Sequence, residues 1–212
     1  MIKTAVLVSG GGSNLQALID ANIFGEIKNC ELAAVISSNP EVYAIDRAKY
    51  AGIPVYVVDH SIFPNRTSFT KAMLEKLKDL EIDLVVYAGF NYILGPSLIN
   101  AYRNKVINIH PSLMPAFSGP GFYGIRVHEA VLSYGIKVTG ATAHFATEIP
   151  DDGPIILQKA VTVFEDDTPQ TLQRRVMEEA EWKILPEAVS LFCEGRLEVR
   201  DRTVHIREAP PV

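Results

Sequence analysis

Cysteine is scarce in this sequence: Cys30 and Cys193 are the only two in 212 residues. That excludes a disulfide-stapled secreted scaffold, and their separation has no metal-ligand spacing, so both read as reduced thiols of a cytoplasmic protein. A long apolar run is also missing. The greasiest stretch, residues 84–99, is broken by Asn91, Gly95 and Pro96 and falls short of the ~20 residues that a membrane span needs. The first ten residues carry too short an apolar segment for a signal peptide, with glycines where a cleavage region would stand, so neither targeting nor a membrane partner is expected. No block of Lys or Arg is long enough to track a phosphate backbone, and 20 basic against 25 acidic residues leave a net charge of −5. That balance disfavours nucleic acid as a partner. Repeats, low-complexity tracts and linkers are absent as well.

What is present is apolar side chain, 48% of the total, enough to bury a core without metals or disulfides. The length suits one domain over residues 1–212. Its first part alternates short β-branched runs with helical patterns, as a parallel sheet with crossover helices requires. Strands are expected over 4–9, 31–37, 54–58, 84–87 and 106–109, and helices over 14–21, 43–50, 68–80 and 97–102. Continuous apolar runs such as Ala5-Val6-Leu7-Val8 predict strands covered on both faces. After His110 a Pro- and Gly-rich loop, 111–124, leads to a helix over 125–134. Two extended runs, 138–145 and 155–164, then form a hairpin-like pair on the sheet's end, joined by an acidic turn. Thr168 opens a long helix with Leu172, Val176, Met177 and Ala180 as its apolar face. A short β pair is expected over 197–206, and 209–211 should fray. The fold class is therefore α/β: an open, mostly parallel sheet flanked by helices, with an antiparallel extension in the C-terminal half.

Ser9-Gly10-Gly11-Gly12-Ser13-Asn14 lies between the first strand and the first helix, where backbone N–H groups and a helix N-terminus favour an anion. A plain turn with Ser13 as N-cap is the alternative. Leu15 stands where a dinucleotide fingerprint needs its third glycine, Ser37-Ser38-Asn39 supplies no acid after the second strand, and no G-K-[ST] follows. A monophosphate ester fits better than a dinucleotide or a nucleoside triphosphate. Asn108 and His110 end a predicted strand and, two residues apart, project from one face. An amide that can meet an oxyanion beside an imidazole that can carry a proton suits acyl transfer. A hydrogen-bonded histidine at a strand end is the blander reading. His144, Asp151 and Asp152 follow; a carboxylate near His110 would orient the ring and raise its pKa, although spacing alone favours a plain polar turn with solvated aspartates. A metal held by His110, His144 and Asp151 finds no support in H-x-x-x-H or C-x-x-C spacing. With no G-x-S-x-G and no cysteine beside a histidine, an acyl group would pass directly between two bound substrates.

Gly11-Gly12-Ser13-Asn14, Ala88-Gly89-Phe90, the block Asn108-Ile109-His110-Pro111-Ser112-Leu113 and Asp152-Gly153-Pro154-Ile155-Ile156 together resemble the folate-dependent formyltransferases, in order and spacing from Met1 to about Leu197. The Gly-Ser-Asn turn and the bare length resemble the branch that formylates a glycinamide ribonucleotide in purine biosynthesis. The resemblance implies a Rossmann-like formyltransferase fold, with a phosphate-binding half over 1–105 and a catalytic, folate-binding half over 106–200. It further implies transfer of a formyl group from N10 of 10-formyltetrahydrofolate to the glycyl amine of 5-phosphoribosylglycinamide, through a tetrahedral intermediate. The products would be formylglycinamide ribonucleotide and tetrahydrofolate.

By the same resemblance Gly12, Ser13 and Asn14 hold the substrate phosphate, and Glu181 contacts the ribose hydroxyls. The backbone of Asn91, Tyr92, Ile93 and Leu94 reads the pterin edge, Arg66 lies near the glutamate tail, and Asn108 borders the folate. Read without the resemblance, residues 90–94 are core, Arg66 is a surface charge and Glu181 is one charge on a solvated helix face. Asn108 and a protonated His110 would stabilise the oxyanion, His110 would protonate the departing folate nitrogen, and Asp151, or its neighbour Asp152, would tune His110. No role is assigned to His128. The loop over 117–124 is longer than the family's shortest version. Partners are the two small molecules, with no metal and a monomer or weak homodimer. The length leaves no room for the regulatory domain or β-barrel that related formyltransferases carry. A catalytically silent nucleotide-binding module is the alternative of another class.

Overall fold

The computed structural model describes residues 1–208, so the fraying expected of 209–211 lies outside the described residues. Five parallel strands form the first part: β1 (Ile2–Val8), β2 (Cys30–Ser37), β3 (Val55–Val57), β4 (Leu84–Tyr87) and β5 (Val106–His110). Helices α1 (Ser13–Ile23), α2 (Tyr43–Tyr50), α3 (Arg66–Asp79) and α4 (Pro96–Ala101) connect them. The strand order in this part is β3-β2-β1-β4-β5, all parallel.

The apolar run in β1 explains the two-sided cover. Alternate residues leave a strand on opposite faces. Val6 and Val8 accordingly join Leu15 and Leu18 of α1 in one apolar cluster, while Ala5 and Leu7 join Phe69, Met73 and Leu77 of α3 in the other. With both faces dry, no position in the centre of β1 tolerates a polar side chain, which is why the run shows no alternation.

The second part is α5 (Ile125–Ser133), β6 (Val138–Phe145), β7 (Ile155–Thr162), α6 (Pro169–Val176), α7 (Trp182–Cys193), β8 (Leu197–Arg200) and β9 (Thr203–Ile206). β6 runs antiparallel to β5, and β7 antiparallel to β6. This hairpin does not end the sheet as expected. The terminal pair continues it, in the order β5-β6-β7-β9-β8, because the outer edge of β7 pairs with β9 at Ile155 and Thr203.

The helix expected from Thr168 starts there, with Thr168 capping the N–H of Thr171 and Pro169 at the first position, but it is not continuous. A π-turn over Met177–Glu181 separates α6 from α7. The residue it inserts rotates the helix face, and Ala180 and Glu181 both become buried. Of the expected apolar face, Leu172, Val176 and Ala180 are buried while Met177 stays partly exposed.

Two glycines let β6, β7 and the turn between them close. A Cβ on Gly140 would overlap the Lys159 carbonyl, and one on Gly153 would overlap the carbonyl oxygen of Phe145. Gly153 has no backbone latitude there, because the Phe145 N–H bonds the Pro154 carbonyl at 2.9 Å and restarts the sheet next door. Gly153→Ala is expected to cost roughly 1–3 kcal/mol, the scale of overpacking a closed site, read as a lower urea midpoint. A midpoint equal to wild type would mean that the turn yields freely.

Candidate active site

β2 and β4 lie on opposite sides of β1, so the chain changes direction across the sheet at the carboxyl ends of β1 and β4. In open α/β sheets that switch point is the crevice where ligands bind. Three segments meet along this edge: the glycine turn after β1, residues 89–95 after β4, and the end of β5.

The glycine turn is shaped by α2. The carbonyl of Gly10 accepts from the Ala44 N–H at 3.2 Å, and that of Gly11 accepts from Arg47 Nε at 2.9 Å. Carbonyl and following N–H point opposite ways in a planar peptide, so the N–H groups of Gly11 and Gly12 face away from α2. Gly12 itself caps α1 at φ 74°, and a Cβ there would come within 2.9 Å of the Ala44 backbone. Ser13 is therefore not the N-cap: it is the first residue of α1, and its hydroxyl turns to the sulfur of Met177 at 3.7 Å.

Asn14 Nδ2 donates to Glu181 Oε2 at 2.7 Å, while the buried Asn14 Oδ1 has no partner. Glu181 is not on a solvated face. The π-turn carries it inside to 6% exposure, and burial pushes its pKa up to about 7 against the opposing bond from Asn14. A buried acid that meets a single donor, beside an amide oxygen that lacks one, is a pair of acceptors suited to hydroxyl or amine hydrogens.

Residues 89–95 are braced from three sides. Ser9 Oγ accepts from the Asn91 N–H at 3.0 Å, Thr70 Oγ1 accepts from Gly95 N–H at 2.9 Å, and Arg66 Nη2 donates to the Leu94 carbonyl at 2.7 Å. Tyr92 stacks on His60 with ring centroids 3.9 Å apart, Leu94 is buried and Ile93 is exposed. Arg66, itself exposed, thus braces the loop from outside. The N–H groups of Tyr92 and Ile93 meet no intramolecular acceptor among the described residues.

At the end of β5 the antiparallel entry of β6 sets His144 directly across from Asn108. Asn108 Nδ2 lies 3.0 Å from His144 Nε2 and 3.3 Å from Asp151 Oδ1. Asp151 Oδ2 lies 3.4 Å from His110 Nδ1 and accepts from the Gly119 N–H at 3.1 Å. The four side chains expected near one another, Asn108, His110, His144 and Asp151, are therefore one cluster. Asp152 faces outward to Arg202 instead, so of the two aspartates Asp151 is the one that joins the cluster. The Phe117 carbonyl and the Gly119 N–H also belong to the cluster. Both are backbone groups in the long loop, so no side-chain pattern could have signalled them.

Each ring has a defined polarity. His144 Nδ1 faces its neighbour's carbonyl, that of Phe145, at 3.0 Å; with that nitrogen donating, Nε2 accepts from Asn108. His110 Nε2 donates to the Phe117 carbonyl at 2.8 Å, leaving Nδ1 toward the carboxylate. Burial pushes the His110 pKa down and outweighs the upward pull of Asp151 and of the Phe117 carbonyl, with His144 adding to the fall. The expected rise is thus reversed, and the ring is neutral at pH 7. Burial works against ionisation of Asp151, yet its pKa is held below the usual carboxylate range, with the Gly119 N–H donating to it. A neutral Nδ1 lone pair and a carboxylate oxygen facing each other form a place for one mobile proton.

His128, on α5, is fully buried with neither ring nitrogen bonded; burial, then His110, lowers its pKa to about 4.

The position of Glu181 has a measurable consequence. Its carboxyl is protonated in the fold, but ionised in the unfolded chain, between about 4.5 and about 7. The folded state then binds the extra proton, so stability falls as pH rises through that window, by roughly 3 kcal/mol in all. Glu181→Gln removes that slope while keeping an acceptor for Asn14. Unfolding curves at pH 4.5 and 7.5 for the two proteins check this; parallel pH dependence would assign the proton elsewhere.

The sequence model of a family described as Formyl transferase matches residues 2–189. The trifunctional purine biosynthetic protein adenosine-3 of Bos taurus is 44% identical over 193 residues, 91% of this chain but 18% of that protein, so the chain spans less than a fifth of that relative. The phosphoribosylglycinamide formyltransferase of Haemophilus influenzae is 36% identical over 206 residues, covering 97% of this chain and 94% of its own length. Among solved structures, glycinamide ribonucleotide transformylase 1 from Symbiobacterium toebii superposes with a TM-score of 0.92 at 42% identity, covering 98% of this chain and 95% of that one. On the profile, the near full-length relative and the shared architecture, this chain belongs to the formyl transferase family.

Proposed function

We propose that the chain transfers a formyl group from N10 of 10-formyltetrahydrofolate to the glycyl amine of 5-phosphoribosylglycinamide, the acceptor after which its Haemophilus relative is named. The observation that carries this reading is the Asn108, His110, His144 and Asp151 cluster standing on the same sheet edge as the glycine turn. The N–H groups of Gly11 and Gly12 and the N-terminus of α1 take the phosphate. Glu181 and Asn14 Oδ1 accept from ribose hydroxyls. The N–H groups of residues 92–93 take the pterin edge, with the Tyr92 ring and its His60 stack as a wall.

The amine nitrogen attacks the formyl carbon, forming the new C–N bond and an oxyanion. Both hydrogens of Asn108 Nδ2 are engaged in the free protein, with His144 and, at the longer 3.3 Å, with Asp151. The second is the one released to the oxyanion, worth ~3 kcal/mol for a single donor. The proton shed by the attacking amine settles between His110 Nδ1 and Asp151 Oδ2. It is then passed to the folate nitrogen as the old C–N bond breaks, so the pair ends as it began. A neutral His110 in the free protein suits this relay, because the proton that it donates is one that it has first received.

His110→Ala and Asp151→Asn are each expected to lower formyl transfer by at least ~100-fold with ribonucleotide binding retained, the scale of proton-transfer groups. Near-normal turnover of His110→Ala would reject the relay. Controls without acceptor and with charged initiator tRNA separate hydrolysis and tRNA formylation from the proposed reaction; binding without turnover in wild type would leave the silent-module reading. Asn14→Asp sets a carboxylate beside both the phosphate and Glu181 and should weaken ribonucleotide binding. Isothermal titration checks this, and an unchanged Kd would put the phosphate elsewhere.

A further inference from the structure

Arg202 stands in the tight turn between β8 and β9, preceded by Asp201 at φ 54°. Its guanidinium meets Asp152 through three contacts: Nη1 to Oδ2 at 3.2 Å, Nη2 to Oδ1 at 3.1 Å, and Nη2 to the Asp152 backbone carbonyl at 2.8 Å. The Ile155–Thr203 pair brings it there, one residue along from the strand contact. Arg202 lies beyond the residues matched by the family profile.

The turn that Arg202 grips is the one that carries Asp151. Asp151 sits at φ 50°, in the left-handed region, which an aspartate adopts only as an isolated residue and at a cost. Among the described residues, the backbone of 150–153 makes no hydrogen bond to any other backbone group; the sheet resumes only at the Pro154 carbonyl. The holds on Asp151 and Asp152 from outside the cluster's side chains are the Gly119 N–H on Asp151 Oδ2 and Arg202 on Asp152. Gly119 belongs to the glycine-rich loop, whereas Arg202 sits in a hairpin turn one residue from the Ile155–Thr203 pair.

We propose that Arg202 is a positioning residue for the Asp151 carboxylate, clamping Asp152 so that the turn keeps Oδ2 against His110 Nδ1. The proposal rests on the reading above, in which that pair carries the proton. The ion pair is exposed, 72% at Arg202 and 44% at Asp152, so it contributes little to overall stability. Its value is directional: a two-pronged fork with a third bond to the backbone fixes orientation as a point charge cannot.

The test uses R202A, R202K, D152A and the R202A/D152A double variant of the full chain. In R202A, kcat is expected to fall about five-fold, the upper end for an exposed pair. Both KM values should stay within about two-fold and the thermal midpoint within about 2 °C. R202K should recover only part of the rate, and the double variant should be no slower than the worse single one, since both remove one interaction. An unchanged kcat in R202A, a rise in KM alone, or a rate loss that tracks lost stability would each overturn the clamp.

A readout without substrate accompanies the assay. Histidine NMR of the free protein follows the titration of His110, which faces Asp151, His144, His128 and the Phe117 carbonyl. With the carboxylate held less closely, its upward pull on His110 weakens, so the ring titrates at lower pH in R202A than in wild type. An identical titration overturns the clamp even in a protein that proves inactive on the ribonucleotide. Inactivity of wild type counts against the functional reading alone.

Discussion

Asp151 presents a carboxylate to two nearly inaccessible imidazoles, and the antiparallel entry of β6 makes that meeting possible. Running antiparallel to β5, β6 places His144 across from Asn108 and then turns back into β7 within a few residues. The returning turn leaves β6 beside the start of β5, where the Ala146 N–H bonds the Val106 carbonyl, and Gly153 gives it the space to close. Burial makes each contact consequential: it drives His110 toward the neutral form, while the surrounding donors keep Asp151 ionised. One proton too few for the number of acceptors is the state from which a proton relay can begin.

The opposite end of the cleft depends on a different irregularity. An unbroken helix from Thr168 would keep Glu181 on its exposed side, beside Glu178 and Glu179. The π-turn instead turns it under the first loop, onto Asn14, across a separation of 167 residues. A buried carboxyl costs stability whenever it ionises, and a π-turn is a rare interruption of an α-helix. The coincidence of the two at Glu181 is the pattern expected where function, and not folding, selects the residue.

Much of the architecture was legible in advance because it depends on local periodicity. β4, α2 and β6 occupy the spans that their patterns imply, and continuous apolar runs identified strands buried on both faces. The pairing of Asn108 with His110 was legible too, since two residues in a strand share a face whatever surrounds them. Asp151 could be narrowed only to a neighbouring pair, because a turn has no period; its φ of 50° and the Arg202 contact on Asp152 decide which of the two faces inward. Arg66, read as near a glutamate tail, also braces the Leu94 carbonyl, a contact that its place in the sequence does not signal. No one-dimensional pattern records where a long flexible side chain comes to rest.

By itself, the order of residues determined the class of fold, the strand that ends in an amide and an imidazole, and the turn with glycines enough to expose its N–H groups. These follow from side-chain alternation and backbone sterics, which act over a few residues. Only the tertiary structure decided the protonation of His110, the burial of Glu181 and the reach of the C-terminal hairpin to the turn that carries Asp151. Each of those depends on desolvation or on charge across segments far apart in the chain, and such energies are defined only once the folded surroundings have replaced water.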